Sequence, residues 1–372
     1  EDLEKEGAMS KGLERMAFGM IKGAKKRKVE WVLELSLPEV HDKDGNLLPA
    51  EYPLSILALY ADMETETLGR SKEANKLVEP LEKEEFFDYI QGLYDGYLKA
   101  GAEAKKRWVL YAYAFHGREE AITVLQKQLS IWADNARGAM AAEAVRAIAL
   151  NGSQKALLMV DQMSRKHKSR QVKNAAAAAL SEAAEVLKIS KEELEDQIVP
   201  DLGFDKNGER IFDYGTRSFR VWIYELELEV YDEHNKPRKN LPAPGKKDEE
   251  EKAKAAYEEF KQLKKQLKTV VASQKIRLLQ ALRTARLWNA TQWKNLFVQN
   301  PVMHQFAIGL IWGVYESGEF KVTFRYMGDG SFNTSKGEEY KLSDAGKIGL
   351  VHPLELSKEE LEAWKEQLLD HE

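Results

Sequence analysis

The sequence contains no cysteine, which excludes disulfides, thiolate zinc sites and a cysteine nucleophile. That absence suits a reducing compartment, and we expect a cytoplasmic protein. No apolar run approaches the roughly 18 residues of a membrane span, and the charged N-terminal stretch is not a signal peptide. We therefore expect no membrane partner. The chain begins at Glu1 without a methionine, and we expect it to be a fragment of a longer protein.

The patterns of common catalytic sites are also missing. The seven histidines stand singly, so none has a local partner at metal-ligand spacing. The segment from Gly203 to Gly208 has the spacing of a phosphate loop, but Glu209 and Arg210 follow it in place of Lys-Ser/Thr. We predict no catalytic residue, no metal and no cofactor, and we interpret His304 and His352 as structural residues beside proline turns.

The chain of 372 residues is long enough for two or three domains, and its net charge of −5 is close to balance. Any attraction to nucleic acid must therefore be local. A shift of 35 residues places apolar positions on apolar positions: Gly117 falls on Gly152, Leu125 on Val160 and Val145 on Leu180. Helical units of this size bury their apolar faces only by stacking, so residues 83–188 are predicted to form three stacked helix pairs.

Other segments are predicted from shorter patterns. Residues 1–27 are predicted as a helix, Val29 to Leu37 as a strand, and the turn at residues 42–46 does not fit a calcium loop. Ser218 to Tyr231 is predicted as one strand.

One long helix is predicted from Lys246 to Leu287, where Gly and Pro are absent. Two shorter helices are predicted between Trp288 and Ser317. The chain is predicted to end in strands near residues 320–326 and 347–351 and in a helix from Ser357 to Asp370.

The long helix carries the strongest charge pattern. Residues 261–315 contain no acidic residue, and at about 100° per residue seven of the nine basic side chains fall on one face. This candidate polyanion-binding face consists of Lys261, Lys264, Lys265, Lys268, Lys275, Arg283 and Arg286. The alternative is that the same face pairs internally with acidic stretches, namely Glu225, Glu227 and Glu229, the cluster at 192–196 and the last helix.

A secondary basic patch lies at the turn of the last repeat. It consists of Arg165, Lys166, Lys168, Arg170 and Lys173, next to His167. No aromatic residues are interleaved for base stacking, and a solvated loop is the competing interpretation.

Motifs along residues 200–372 resemble one bacterial family. They include Asp201-Leu-Gly-Phe-Asp-Lys-Asn-Gly, Asn300-Pro-Val-Met, Leu310-Ile-Trp-Gly and His352-Pro-Leu. The family is domain-of-unknown-function family 4132, which contains large MolR-like bacterial proteins with HEAT-like repeats. The resemblance implies that this chain is related to the family and shares its arrangement of HEAT-like repeats. It assigns no catalytic role to any residue.

The sequence thus predicts a mainly α protein, a HEAT-like α-solenoid followed by an α+β domain with a long helix. The expected domains are an N-terminal segment (1–82), the repeats (83–199) and the α+β domain (200–372). The leading hypothesis is a non-catalytic binding or scaffolding module of a larger bacterial protein, with a regulatory role left open. Its partner would be a protein or other domains of the parent chain. The alternatives are nucleic-acid or polyanion binding by the long helix, and an enzyme whose site is assembled from distant residues.

Overall fold

The structure is a computed structural model that describes residues 23–370. Most of the predicted helix at 1–27 lies outside these residues. The chain divides into two compact units, Glu1–Ile198 and Val199–Glu372. Helices predominate in the described residues and the strands pair antiparallel, so the mainly α prediction is confirmed.

The helices of the first unit follow one another through short turns. They are α1 (Ala24–Val29), α2 (Glu51–Ala61), α3 (Lys72–Val78), α4 (Lys83–Lys99), α5 (Trp108–His116), α6 (Ala121–Asp134), α7 (Gly138–Asn151), α8 (Gln154–Lys166), α9 (Arg170–Leu187) and α10 (Lys191–Gln197).

The strand predicted from Val29 to Leu37 is wrong, because α1 continues into a 3₁₀ turn at Glu30–Glu34. Val29 and Val32 are buried and Leu33 is 55% exposed, so the buried side chains recur at helical spacing. In the turn that follows, the Asp42 carboxylate accepts hydrogen bonds from the backbone nitrogens of Asp44 and Asn46. This carboxylate therefore stabilises the turn itself.

Residues 83–187 form three antiparallel helix pairs, α4 with α5, α6 with α7 and α8 with α9. The second helices also contact each other in sequence, α5 with α7 and α7 with α9. The predicted core positions Leu125, Val145, Val160 and Leu180 are all buried. The helical pairs are thus confirmed at the predicted places.

Caps set the borders of the third pair. Gly152 ends α7 with φ of 76°, in the left-handed region that favours glycine. The Ser153 hydroxyl accepts from the backbone nitrogen of Ala156 at the start of α8, and Ser169 accepts from Val172 at the start of α9. These cap residues therefore determine where α8 and α9 begin, and the turns before them are short.

A polar ladder joins the second helices of the pairs. The Tyr111 hydroxyl on α5 donates to Glu143 Oε2 on α7 at 2.5 Å, and Arg146 Nη1 donates to the Tyr111 oxygen at 3.0 Å. Arg146 also binds both carboxylate oxygens of Glu182 on α9, at 2.5 to 3.1 Å. The second helices of the three pairs, α5, α7 and α9, are therefore linked through the Arg146 guanidinium.

The segment before α3 is held across the ends of these helices. Arg146 donates to the carbonyl oxygens of Thr65 and Glu66, both at 3.3 Å. Arg70 donates to the carbonyl oxygen of Asn151 at 3.2 Å. Residues about eighty positions apart in sequence thus meet at one edge of the helix pairs.

The second unit begins with a four-stranded antiparallel sheet in the order β1-β2-β3-β4. Its strands are β1 (Glu209–Asp213), β2 (Ser218–Tyr224), β3 (Glu227–Tyr231) and β4 (Pro237–Arg238).

The single strand predicted from Ser218 to Tyr231 is wrong, because it is a hairpin. Glu225 and Leu226 form its two-residue turn with φ of 49° and 64°. Neither residue is one of the usual turn formers, so the alternating pattern from Ser218 to Tyr231 contained no signal for a turn. Pairing places Trp222 opposite Glu229.

The rest of the unit alternates helices with a six-stranded antiparallel sheet in the order β5-β10-β6-β7-β8-β9. The elements are α11 (Glu250–Arg283), β5 (Leu287–Asn289), α12 (Ala290–Trp293), a π-helix (Lys294–Gln299), α13 (Pro301–Ile308), β6 (Ile311–Glu316), β7 (Glu319–Tyr326), β8 (Phe332–Asn333), β9 (Glu339–Tyr340), β10 (Lys347–Leu350) and α14 (Lys358–Leu369).

The strands near 320–326 and 347–351 and the last helix are confirmed as β7, β10 and α14. The helices predicted between Trp288 and Ser317 are only partly correct, since Ile311–Glu316 is the strand β6. Trp312 and Val314 alternate into the core there, and β6 pairs with β7, the next strand along the chain, and with the distant strand β10. The tryptophans at 288, 293, 312 and 364 fill the core, each at most 2% exposed.

Candidate binding surface on the long helix

The helix α11 is 34 residues long, shorter at both ends than the predicted span from Lys246 to Leu287. Acidic Glu250 and Glu251 in its first turn and Arg283 in its last complement the helix dipole. One face packs into the core of its unit and contacts β1, α13 and β10. The side chains buried on this face are Ala253, Ala256, Phe260, Leu263, Leu267, Gln274 and Ala281.

The opposite face carries the predicted cations. Six of the seven are exposed, namely Lys261, Lys264, Lys265, Lys268, Lys275 and Arg283. The placement of Arg286 on the helix is a correction. The helix ends at Arg283, Ala285 takes a φ of 52°, and the Arg286 guanidinium lies over the Trp288 ring, 4.6 Å from its centroid. At about 1.5 Å per residue the helical part of the basic face is about 33 Å long.

Two of these lysines have local partners. Lys261 Nζ is 3.5 Å from Glu258 Oε1 and 4.3 Å from the centroid of the Tyr257 ring. Lys264 Nζ donates to Asn240 Oδ1 at 2.5 Å. Exposed contacts of this kind contribute little stability and leave the ammonium charge in water.

The remaining helical cations differ in this respect. Within residues 23–370, the side chains of Lys265, Lys268, Lys275 and Arg283 make no ion pair and no hydrogen bond. These four charges are therefore solvated, and an incoming anion would not have to displace a carboxylate from them.

Three of the glutamates considered as internal partners lie on the hairpin of the first sheet. Glu225 is in the turn, Glu227 faces Tyr224 in the strand register, and Glu229 accepts a hydrogen bond from Tyr231 at 3.0 Å. That hydrogen bond and the nearby carboxylate raise the pKa of the Tyr231 hydroxyl. In the part of the chain that the structure describes, none of the three forms an ion pair with α11.

The secondary basic patch has more internal pairing. Arg165 lies 3.2 Å from Asp161, and Lys168 Nζ lies 2.8 Å from Asp134. Lys166 and Arg170 are exposed on either side of the turn between α8 and α9, and Lys173 is half-buried on α9. Burial and the Lys168 charge lower the pKa of the adjacent His167. Two of the five cations in this patch are thus paired with carboxylates.

The two histidines singled out in the sequence have structural contacts. His304 Nδ1 lies 3.2 Å from the Val298 carbonyl oxygen and 3.2 Å from the Tyr326 hydroxyl. His352 Nδ1 accepts from the backbone nitrogen of Leu354 and caps the short turn at Pro353–Glu355. Across residues 23–370 there is no group of three or more His, Asp or Glu side chains placed to hold a metal ion.

One buried titratable pair was not predicted from the sequence. The His116 Nε2 and Tyr60 hydroxyl are 2.5 Å apart, and both residues are buried. Burial, with the Arg70 charge, lowers the pKa of the imidazole to about 3. No local pattern joins two positions 56 residues apart, so only the tertiary structure reveals the pair.

The sequence interpretation also missed two apolar residues on the basic face of α11. Ile276 is 71% exposed and Leu279 is 51% exposed. At about 100° per residue both fall among the cations, so the helical projection that found the lysines contained this signal as well.

Comparison with known proteins places the long helix inside a family match. Residues 236–372 match the family described as Domain of unknown function (DUF4132), and the predicted resemblance is confirmed over that segment. The chain is also 32% identical over 284 residues to the uncharacterized protein YehI of Escherichia coli (strain K12). That alignment covers 75% of this chain and 24% of YehI, so the chain spans about a quarter of this relative's length. No solved structure matches the chain. In residues 23–370 there is no helix of the length and apolarity that crossing a membrane requires.

Proposed function

We propose that this chain is a non-catalytic binding module of a larger bacterial protein. Its binding surface is the basic face of α11, and its ligand is a polyanion. Within this proposal the helix pairs are a HEAT-like solenoid that acts as a scaffold, and the protein is cytoplasmic.

The observation that carries the proposal is the set of four solvated cations, Lys265, Lys268, Lys275 and Arg283. They are exposed along one face, and no described carboxylate neutralises them. A row of free cations that neutralises a polyanion releases the counterions condensed on that polyanion, and this release favours association at low salt. The same row would have little effect on the stability of the fold, because exposed unpaired charges contribute little to it.

The scaffold part of the proposal rests on the stacking of α5, α7 and α9. Stacked helix pairs present a continuous surface, and no pair buries its apolar face alone. A chain of this kind is suited to holding other domains or a protein partner in place.

The test reverses two free cations with the substitutions Lys265→Glu and Lys268→Glu in one variant. We expect weaker binding to a fluorescent DNA duplex and to a polyglutamate peptide, measured by anisotropy over a series of salt concentrations. On the duplex, the slope of log affinity against log salt should flatten by roughly two units, about 0.9 for each phosphate that the variant no longer neutralises. Melting should stay close to that of the unmutated protein, because both positions are exposed and glutamate favours helix.

A matched control carries Lys336→Glu and Lys341→Glu. These lysines are exposed on the same unit, outside α11, and their reversal changes the net charge equally. Binding of both probes should survive in this control. Equal weakening in the two variants would mean that net charge alone determines binding. Absence of binding to either probe by the unmutated protein at low salt would refute the proposal.

A further inference from the structure

The basic face of α11 is not uniformly polar. Ala272, Ile276, Leu279 and Arg283 follow one another at spacings of four, three and four residues, so they form one stripe along the helix. Ile276 and Leu279 are 71% and 51% exposed. From Glu250 to Val271 every exposed position of α11 is Glu, Lys, Gln, Thr or Ala. The exposed large apolar side chains of this helix are therefore concentrated in a single turn.

Free cations lie on both sides of this turn. Lys268 and Lys275 precede it and Arg283 follows it, and these three span about 22 Å at about 1.5 Å per residue. The apolar turn thus lies within the row of cations that the proposed function assigns to binding.

This combination distinguishes between two classes of polyanion. A phosphate backbone presents anionic oxygens along its length and offers no apolar group that would cover an isoleucine and a leucine. An acidic protein segment that also carries apolar side chains would satisfy both parts of the surface, since it pairs with the cations and buries Ile276 and Leu279. Helical segments bound in this way are anchored by apolar residues at spacings of three and four.

Resting on the proposed function, we infer that the ligand of α11 is an acidic amphipathic segment of a protein, bound with apolar residues against Ile276 and Leu279. Its carboxylates lie toward Lys268 and Lys275 on one side and toward Arg283 on the other. The charges accelerate association and orient the segment, and the apolar contact gives the selectivity over nucleic acid.

The test uses the full chain and three probes. The first is a glutamate-rich helical peptide with leucines at helical spacings of three and four. The second is the same peptide with serine in place of each leucine, and the third is a DNA duplex. The unmutated protein should bind the leucine peptide at least roughly tenfold more tightly than the serine peptide, because burial of two apolar side chains stabilises only the first complex.

The variant with Ile276→Ser and Leu279→Ser should lose this tenfold difference and retain the weaker binding of the serine peptide. A control with Leu354→Ser and Leu369→Ser removes two apolar side chains that are 88% and 71% exposed elsewhere on the unit, and it should retain the difference. Circular dichroism should show unchanged helix content in both variants, since all four positions are exposed.

Three other results would overturn the inference, and they separate it from the proposed function. Equal binding of both peptides, with loss of binding on Lys265→Glu and Lys268→Glu, would refute the apolar anchor and leave polyanion binding intact. Tighter binding of the duplex than of either peptide would identify nucleic acid as the ligand class. Failure to bind any of the three probes would refute both statements.

Discussion

Replacement of Arg146 by methionine tests the polar ladder between the helix pairs. The Arg146 side chain is 19% exposed, and it binds the Glu182 carboxylate, the Tyr111 hydroxyl and the carbonyl oxygens of Thr65 and Glu66. Methionine retains an unbranched stem of similar reach and removes the charge and every donor. The substitution therefore changes the polar contacts while much of the apolar packing of α7 remains.

The expected loss of unfolding free energy comes from the polar groups that lose their partner when Arg146 is replaced. Removing one partner of a buried ion pair costs about 3–5 kcal/mol. Glu182 is 35% exposed, so water recovers part of its solvation and lowers that cost. The unpaired carbonyl oxygens at 65 and 66 add to it, and we expect a decrease of about 2–3 kcal/mol in the free energy of unfolding. For a unit of this size, 1 kcal/mol corresponds to about 2–4 °C, so Tm should fall by about 4–12 °C.

The assay is thermal and urea unfolding followed by far-ultraviolet circular dichroism, with Arg170→Met as the control. Arg170 is exposed at the start of α9, and its replacement should leave Tm nearly unchanged. In a double-mutant cycle, Arg146→Met and Glu182→Gln should be coupled by about 1–2 kcal/mol. A Tm for Arg146→Met equal to that of the control, or additive effects in the cycle, would refute the ladder as a source of stability.

Two further predictions concern the core of the same unit. His116 has a folded-state pKa of about 3, below the unfolded value of about 6.5, so stability should be complete above pH 6.5 and should fall as the pH decreases toward 3. Through His116, the free energy of unfolding should decrease by about 1.4 kcal/mol for each pH unit between these two pKa values. His116→Phe should reduce the loss of unfolding free energy at acidic pH, measured by urea unfolding at several pH values. A loss equal to that of the unmutated protein would contradict a neutral buried imidazole. Leu180→Ala should cost roughly 2–5 kcal/mol by leaving a cavity between α9 and its neighbours, and an unchanged melting curve would argue against its burial.

The helix pairs were predictable because their signals are local and recur. Gly152, Ser153 and Ser169 mark the ends of helices in short sequence windows, and apolar spacing fixes which face of each helix is buried. The same reasoning predicts the long helix and most of its exposed cations.

The errors arose where a turn lacked the usual turn residues or where pairing with other strands determines the structure. The turn at Glu225 and Leu226 contains no glycine, asparagine or aspartate, so the hairpin appeared as one strand. The strand β6 follows a helix directly, and its assignment depends on β7 and β10, which pair with it. The exposed Ile276 and Leu279 of α11 fall among the cations in the helical projection, where the charge pattern dominates.

Hydrogen bonds from Arg146 to the carbonyl oxygens of Thr65 and Glu66, and from Arg70 to that of Asn151, form a clasp between residues 65–70 and α7. The contacts of the polar ladder join positions 32 to 36 residues apart, whereas the clasp joins positions 80 and 81 apart. Closing the longer loop costs more chain entropy, and its partners on α7 exist only once that helix has formed. The helix pairs should therefore assemble first, and the segment leading into α3 should dock as a late step. During synthesis, residues 65–70 would have their contacts with Arg107 and Phe115 before those with α7, because α7 follows later in the chain.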